Sequence, residues 1–510
     1  MIPRDCETDL TGALAAPSML ATDADTLAVA AEDISGAGPE TPAAVVRPMS
    51  VEELQKVVAV ANRYAMPVVV RGGGFSYTGG YWAERPNTLL IDMGGLDGIV
   101  DIDADTMTVT VEGGATWSAV YDALMERGLR LPVFGPLSGI KATVGGGLSQ
   151  DVTFFGSTAN GFASEHVASF DVVASDGSLQ TITDDVPAFA GDAGALGIKA
   201  RVTFRVMPAP REAAYVSFAF DDAGGFVAAQ QAIAAADFPA SVSEAYGFDA
   251  VTHRNLSETG FSVLEAAQIS RDVARKTTSI VGAVKSIAQL ATVQRAKLDD
   301  IAWSLHCVVE GDDAAGVDET VASLAALVKS TDGRRIPDTI PRVTRSKPFR
   351  NVKALLGPNG ERWLPMHGIF PAQRAGEALQ ALEEFRIARR AELDRFGIRI
   401  SCLTSVIRDR ILIEPQFFWP DSLSAFLIAN AQPKQVAAYK AEPPREEARA
   451  LVHVLRRALT DLFDGLGAAH IQLGKYYRPS EAGGLMERRS RLKAALDPDG
   501  LMNPGALGLK

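Results

Sequence analysis

The 510-residue chain reads as an α+β protein of two or three structural units. Three features predict this: a strand, helix, strand pattern that opens at Ala44, short alternating β segments after it, and a middle region mixing strands with long helices. A chain this long exceeds what one hydrophobic core usually organises, so a shared interior with a sizeable enclosed pocket is expected.

Ala44-Val45-Val46-Arg47-Pro48 is the first strand. Ser50, with Glu53 three residues on, predicts a capping box over a helix from Val51 to Tyr64. A strand from Pro67 to Val70 then runs into Arg71-Gly72-Gly73-Gly74-Phe75-Ser76-Tyr77-Thr78-Gly79-Gly80. Strands at Thr88 to Asp92 and Thr106 to Glu112 and a helix from about Ser118 to Arg127 follow. A second glycine cluster stands at Thr143-Val144-Gly145-Gly146-Gly147, and strands resume at Ser169 to Ala174 and Ile198 to Val206. The Pro208/Pro210 break ends the first domain, giving an N-terminal segment 1–40, a first domain 41–210, a substrate-side domain 211–460 and a closing segment 461–510. The substrate-side domain carries a strand at Ala302 to Val309 and a long helix at Ala375 to Phe396. There is no internal repeat.

Composition narrows the function. With 47% hydrophobic and 22% charged residues the chain is an ordinary globular protein, and its 50 basic against 62 acidic side chains give a net charge of −12. That balance argues against nucleic acid. Cys6, Cys307 and Cys402 have no C-x-x-C spacing, so neither a disulfide framework nor a zinc site is readable, and a reducing cytoplasm fits. The start carries Asp5, Glu7 and Asp9 and does not read as a secretory signal. The most apolar helical stretch, near Ser279 to Val293, contains Lys285 and Gln289 and is too short to span a bilayer, so no transmembrane segment is expected.

Three consecutive glycines after a buried strand let successive backbone N–H groups converge on negative charge without a Cβ in the way. That is a cradle for pyrophosphate; the alternative is a tight turn needed for packing alone. No G-x-G-x-x-G, Walker A, H-E-x-x-H or G-x-S-x-G pattern accompanies the loops, so nicotinamide-Rossmann, phosphoryl-transfer, zinc-peptidase and α/β-hydrolase readings lose their main support.

Arg71 to Tyr77 resembles the R-G-G-G-H-S-Y loop of the vanillyl-alcohol oxidase superfamily, which carries the p-cresol methylhydroxylase (PCMH)-type FAD-binding domain. Thr143 to Gly147, Gly161 to Val167, Asp171 to Gly177 and Gly194-Ala195-Leu196-Gly197-Ile198 resemble its next segments in order, and Leu496-Asp497-Pro498 to Asn503-Pro504-Gly505 resembles its closing L-D-P-x-x-x-x-N-P-G. The likeness covers roughly residues 40 to 210 and 465 to 510. It implies a two-subdomain PCMH-type domain clasping FAD, plus a cap domain with an antiparallel sheet and flanking helices. The FAD-binding residues carried over are Arg71, Gly72, Gly73, Gly74, Phe75, Ser76, Tyr77, Thr143, Val144, Gly146, Gly147, Ile198 and Asn503.

The chain departs from the family where many members attach the flavin to a histidine, because that position is Phe75. No cysteine lies between Cys6 and Cys307, and Arg408 to Ile413, where other members place a cap histidine or tyrosine, offers neither. Non-covalent FAD is therefore expected. By the resemblance, Lys475 in Gly474-Lys475 matches a lysine beside the flavin of aldonolactone oxidases, while Tyr477-Arg478 matches a phenolate-binding pair of vanillyl-alcohol-type enzymes. The alternative is that Lys475 and Arg478 are solvated surface charges. His367 lies on an apolar strand that resembles a cap strand facing the substrate, where it orients a hydroxyl or is a satisfied core histidine. His306 and His166 read as structural, Glu414 is an acid in an apolar strand that needs a partner or faces the pocket, and no metal set is apparent.

The expected chemistry is hydride transfer from a hydroxyl-bearing organic substrate to flavin N5, first among these an aromatic or phenolic alcohol, with Lys475, Tyr477, Arg478 and His367 as catalytic candidates. A sugar-derived polyol, lactone or 2-hydroxy acid is the alternative, and a flavin-scaffold lyase, isomerase or non-redox binder the different class. The expected partners are a small-molecule substrate and an electron acceptor (oxygen, a quinone or a redox protein); a homodimer is left open.

Overall fold

The computed structural model describes residues 2–253, 301–346, 348–349, 355–357, 359–431, 433–439, 441–479 and 484–509. The apolar stretch from Ser279 to Val293 lies outside the described residues.

The first subdomain is a small, mostly parallel sheet. Ala44–Val46 and Val68–Arg71 both pair in parallel with Leu89–Asp92, and Leu20–Ala21 adds an antiparallel edge. Ala44, Val45, Val46, Leu89, Leu90 and Ile91 are all buried, the pattern of strands covered on both faces. The helix Val51–Arg63 supplies one cover through Leu54, Val57, Val58 and Ala61. Its Ser50 Oγ accepts from the Glu53 N–H at 3.1 Å, but the Glu53 carboxylate reaches the N–H of Met49 at 2.8 Å, one residue earlier than a capping box requires. The N-terminal helix Arg4–Ala13 packs Cys6 and Leu10 into the same core.

The second subdomain is a five-stranded antiparallel sheet in the order 179–182, 167–173, 198–205, 108–112, 99–103. Val109, Val111, Phe170, Val202 and Phe204 pack there against Trp117 and Val120 of the helix Trp117–Met125.

The third layer is an eight-stranded sheet. Its strands run antiparallel in the order 334–336, 212–220, 303–311, 241–249, 399–407, 410–419, 362–365, and 368–371 also pairs with 410–419. The helices Ala223–Ala235, Ala314–Lys329 and Ala375–Ala388 cover one face with Phe226, Leu324 and Leu379. Side chains alternate across this sheet as the strand period demands. Ile411, Ile413, Phe417 and Trp419 enter the core, whereas Leu412, Glu414, Gln416 and Phe418 line a cavity on the other face. The single helix predicted from Ala375 to Phe396 divides at Arg389, whose φ and ψ of −110° and 9° interrupt the helical backbone as its guanidinium turns over the Phe385 ring at 4.5 Å.

The chain end returns to the first subdomain. After the helix Leu485–Leu496, the Asp497 carboxylate accepts from the N–H groups of Leu501 and Met502 at 2.9 and 2.8 Å and pairs with Lys493 Nζ at 2.5 Å. Lys493 Nζ also donates to the Ala195 and Met502 carbonyls at 3.0 and 2.6 Å. The turn so formed docks beside Val68–Arg71: Val68 N–H donates to the Leu501 carbonyl and Asn503 N–H to the Val68 carbonyl, both at 2.8 Å. Asp497→Ala leaves Lys493 buried without its counter-charge, and removal of one partner of a buried pair costs about 3–5 kcal/mol. Chemical denaturation should show that loss in the midpoint; a cost under about 1 kcal/mol would place the pair among solvated surface contacts.

Candidate functional site

A cavity of about 560 Å³ opens between the loop at Gly72–Gly80, the second glycine cluster, the turn around Gly194–Lys199 and the cap sheet. The two glycine loops lie directly against each other. A Cβ at Gly72 would stand 2.1 Å from Thr143 Oγ1, and one at Gly73 would stand 1.9 Å from the Lys141 carbonyl oxygen. Glycine is thus required for packing at both positions, and the cradle and packing accounts of the loop hold together.

The two clusters differ in what they offer a ligand. The N–H groups of Gly73 to Tyr77 find no acceptor among the described residues, and these residues line the cavity. In the second cluster the N–H groups are spoken for: Val144 donates to Ala115, Gly145 to Gly113 and Gly147 to Thr143 carbonyls at 2.8 Å each, and Gly146 to Thr143 Oγ1 at 3.3 Å. That segment begins the short helix Val144–Ser149, and it contributes a surface without side chains. Thr143, Gly146 and Gly147 reach the cavity, while Val144 faces the core.

The other flavin-loop residues have distinct tasks. Arg71 is held by Asp92 at 2.7 Å beside the loop. Phe75 packs with Ile34, Leu356 and Phe426 in the cavity wall. Ser76 Oγ accepts from the N–H groups of Thr78 and Gly80 at 3.3 and 3.0 Å, closing the turn. Tyr77 sets its ring edge-on to Trp363, with centroids 6.0 Å apart. Ile198 lines the cavity, and Asn503 donates from Nδ2 to the carbonyls of Gly80 and Ala193 at 2.8 and 2.5 Å. Asn503 Oδ1 and Gln150 Oε1 are buried with no partner among the described residues, although both side chains belong to the cavity wall. Unclaimed N–H donors, orphaned polar atoms and a lining where Cβ atoms cannot fit suit a bound dinucleotide.

Opposite the loops, the cap contributes Leu403, Ser405, Leu412, Glu414, Gln416 and Phe418. Gln416 Nε2 donates to Glu414 Oε1 at 2.8 Å. The Glu414 carboxyl opens on the cavity while surrounding atoms keep bulk water away, and this desolvation pushes it up to about 7. His367 also lines the cavity. The Ile471 N–H donates to His367 Nε2 at 3.1 Å, so Nε2 carries the lone pair and Nδ1 the proton. Burial holds this imidazole well below its ordinary pKa and therefore neutral.

Three catalytic candidates lie elsewhere. The Lys475 N–H donates to the Thr78 carbonyl at 2.8 Å, and its ammonium, lowered to about 8 by burial, donates to the Trp82 carbonyl. Lys475 and the exposed Arg478 border a separate cleft with Arg457 and Asp461. Tyr477 borders that cleft too, and its hydroxyl accepts from the His367 N–H at 2.9 Å. Of the four, the structure brings His367 to the cavity and Tyr477 behind it. His306 is buried in contact with Ser217 and Ser304, and His166 meets the Asn160 carbonyl. Gln416, Gln150, Gln472 and the buried Lys199–Asp192 pair at 2.6 Å escaped the sequence reading. Alternation along Arg410–Trp419 was the available signal for Gln416, since it places every second residue with Glu414. Among the described residues no group of side chains could hold a metal, and no helix is long and apolar enough to cross a membrane.

Loop and cavity define a flavin-binding protein, and comparison with known proteins agrees. Residues 42–183 match the family model described as FAD binding domain. The chain is 32% identical over 169 residues to L-gulono-1,4-lactone dehydrogenase of Mycobacterium tuberculosis and 31% identical over 179 residues to D-2-hydroxyglutarate dehydrogenase of Xanthomonas citri pv. viticola. Each match spans 33% of this chain and only 38% of the relative. Across 99% of its length the fold superposes on 4-ethylphenol oxidase from Gulosibacter chungangensis and on p-cresol methylhydroxylase, covering 97% and 96% of those chains at a TM-score of 0.69 and 15% and 16% identity. It also superposes on an alkyldihydroxyacetonephosphate synthase, over 85% of that chain at a TM-score of 0.69 and 15% identity. At such identities the likeness is one of fold. The fold is that of the p-cresol methylhydroxylase-type flavoproteins, residues 42–183 match an FAD-binding domain, and FAD is the cofactor that this domain takes.

Gly73→Ala drives a methyl group into the Lys141 carbonyl and separates the two loops. Flavin absorbance per protein should fall, with affinity down roughly tenfold or more, which corresponds to about 1.4 kcal/mol. Unchanged flavin content would show that the loops tolerate separation.

Proposed function

We propose that the protein is an FAD-dependent oxidoreductase that takes hydride from a hydroxyl-bearing carbon, with Glu414 receiving the hydroxyl proton. The observation that carries this reading is the Glu414–Gln416 pair, 2.8 Å apart, on the cavity-facing side of the Arg410–Trp419 strand. When bound, FAD supplies the hydride acceptor, and an oxygen, quinone or protein acceptor reoxidises it. The protein's own part is orientation and proton handling. A carboxyl near pKa 7 is ionised often enough to accept a proton near neutrality and basic enough to hold it. Gln416 fixes the rotamer of the acid. His367 presents its protonated Nδ1 while Nε2 is occupied, so it acts as a neutral donor that orients a substrate oxygen.

Leu412, Phe418 and Trp363 give the cavity an apolar wall that accommodates an aryl group. The phenolate reading nevertheless loses its partners here, because Tyr477 and Arg478 border the separate cleft. The names of the relatives, a lactone dehydrogenase and a hydroxy-acid dehydrogenase, support a hydroxyl-bearing substrate more broadly. FAD is held without a covalent bond in this reading: Phe75 occupies the position after the triple glycine, and Cys6, Cys307 and Cys402 are all buried away from the cavity lining.

Glu414→Gln should cut turnover by about 10²–10⁴-fold with flavin content retained, as expected for loss of a general base. Because the ionised form is the active one, kcat/KM of the unaltered enzyme should rise with pH through about 7 and level off above it. A profile that falls across that range would remove Glu414 from the role. Acid precipitation should leave the yellow colour in the supernatant; a yellow pellet means a covalent flavin. Anaerobic bleaching of the flavin by an alcohol panel tests the reaction class itself, since a lyase or a redox-inert binder leaves the spectrum oxidised.

A further inference from the structure

We infer that His470, coupled to Asp464, is a positioning residue that fixes His367 in the tautomer and orientation from which it meets a substrate oxygen. This rests on the oxidoreductase reading above and adds to it the device that holds its neutral donor in place.

The inference comes from how completely one short segment grips His367. Two hydrogen bonds between Ile369 and Ala469, both 2.9 Å, fasten that segment to the cap sheet. The residues that follow then take up His367 atom by atom. His470 Nδ1 donates to its carbonyl at 2.8 Å, Ile471 N–H donates to its Nε2 at 3.1 Å, and Tyr477 Oη accepts from its N–H at 2.9 Å. Backbone and ring are thus both held, and Nδ1 is left as the one polar atom of His367 with no partner among the described residues, in a side chain that lines the cavity.

His470 does this by donating from both ring nitrogens. A carbonyl oxygen accepts and never donates, so Nδ1 carries a proton. Nε2 stands 2.7 Å from Asp464 Oδ1, and a carboxylate likewise accepts. The ring is therefore an imidazolium set between an acid and a carbonyl. Its side chain is 4% exposed and that of Asp464 40%, so the pair runs from the surface inward to the cavity wall. The His470 ring also lies on Tyr477, with centroids 4.3 Å and planes 15° apart, and its centroid is 5.7 Å from that of His367. A phenyl ring would stack on Tyr477 as well but would reach neither the His367 carbonyl nor Asp464. Two neighbouring histidines are thus told apart by what their nitrogens face, His470 charged and His367 neutral. Burial is the largest cause that keeps His367 neutral, and the charges of His470 and Arg456 act in the same direction.

The test uses the FAD-loaded, full-length protein with isotope-labelled histidine observed by nitrogen NMR, and His367 among the six histidines is assigned by the loss of its signals in His367→Gln. In the unaltered protein His367 should show a single neutral form with the proton on Nδ1. In His470→Phe, which keeps the ring stack and removes both donors, the form protonated on Nε2 should appear beside it. In His470→Asn, which keeps a donor at the Nδ1 position, that second form should recede. Asp464→Ala, nearer the surface, should give an intermediate mixture, and it carries the test if His470→Phe does not fold. With whichever of benzyl alcohol and xylitol bleaches the flavin, kcat in His470→Phe should fall about 10- to 100-fold with KM within about twofold, since orientation is lost and binding is not. A single Nδ1-protonated form in both His470→Phe and Asp464→Ala overturns the inference, and so does a proton on Nε2 of His367 in the unaltered protein. A tautomer that shifts in the variants, in a protein whose flavin neither alcohol bleaches, would sink the oxidoreductase reading and leave the positioning role standing. Ready bleaching with an unshifted tautomer would do the reverse.

Discussion

The contact between the two glycine loops is the constraint on which the rest of the site depends. With under 2.2 Å between the sites of absent Cβ atoms and the facing Thr143 and Lys141 oxygens, no other residue lets Arg71–Gly80 lie on Lys141–Gly147. That contact joins the parallel sheet of the first subdomain to the antiparallel sheet of the second, and it does so where the backbone N–H groups of Gly73 to Tyr77 find no acceptor among the described residues. The returning C-terminus closes the third side. Asp497 folds the terminal turn, Val68 receives it, and Asn503 is delivered to the carbonyls of Gly80 and Ala193. A triple glycine early in the chain and a proline-glycine turn at its end thus serve one wall.

Sorting of charge follows the same economy. Four buried cations are paired with buried acids: Lys199 with Asp192, Lys493 with Asp497, Arg130 and Arg345 with Glu310. Two guanidiniums hold Glu310 down near 2 despite its burial, whereas desolvation, with the Glu310 charge beside it, pushes Glu244 up to about 7 although Arg345 pairs with it. Glu414 rises to about the same value by desolvation with only an amide as partner. Burial raises all three acids, and only Glu310, held between two guanidiniums, is brought back below the usual carboxylate range.

The FAD domain was legible because its signals are backbone signals. Glycine runs, a capped helix and the turn at Asp497–Gly505 constrain φ, ψ and hydrogen bonds, which neighbouring residues reveal by type. The capping box slipped by one residue because the Glu53 side chain could choose between adjacent N–H groups. The cap's chemistry was less legible. Lys475 and Arg478 sit in a segment whose ends are fixed by long-range bonds, Gln472 N–H to the Gln150 carbonyl and Lys475 N–H to that of Thr78, and the side on which each side chain emerges is decided by those contacts. Order along the chain could place that segment near the flavin loop but could not say which residues face inward.

His367 and Glu414 both stand where a ladder of the cap sheet is interrupted at a proline. The strand Arg410–Trp419 pairs with Arg362–Pro365 through residues 416–419 and with Gly368–Pro371 through residues 410–413. Between the two ladders lie Glu414 and Pro415, opposite Met366 and His367. Proline has no N–H to give a ladder, so within a sheet it belongs at an edge or an interruption. Here the interruption leaves no partner-strand carbonyl waiting for an N–H that Pro415 lacks, and the Pro415 carbonyl still accepts from Met366 N–H at 2.9 Å. The partner chain passes from one strand to the next at Met366–His367, and both His367 and Glu414 line the cavity. Because side chains alternate along the strand, a one-residue shift in this register would send Glu414 into the core with Ile413 and Phe417. The register that keeps the acid in the cavity is held from the other side, by the unbroken ladder with Arg399–Ile407 that sets Leu403 opposite Glu414.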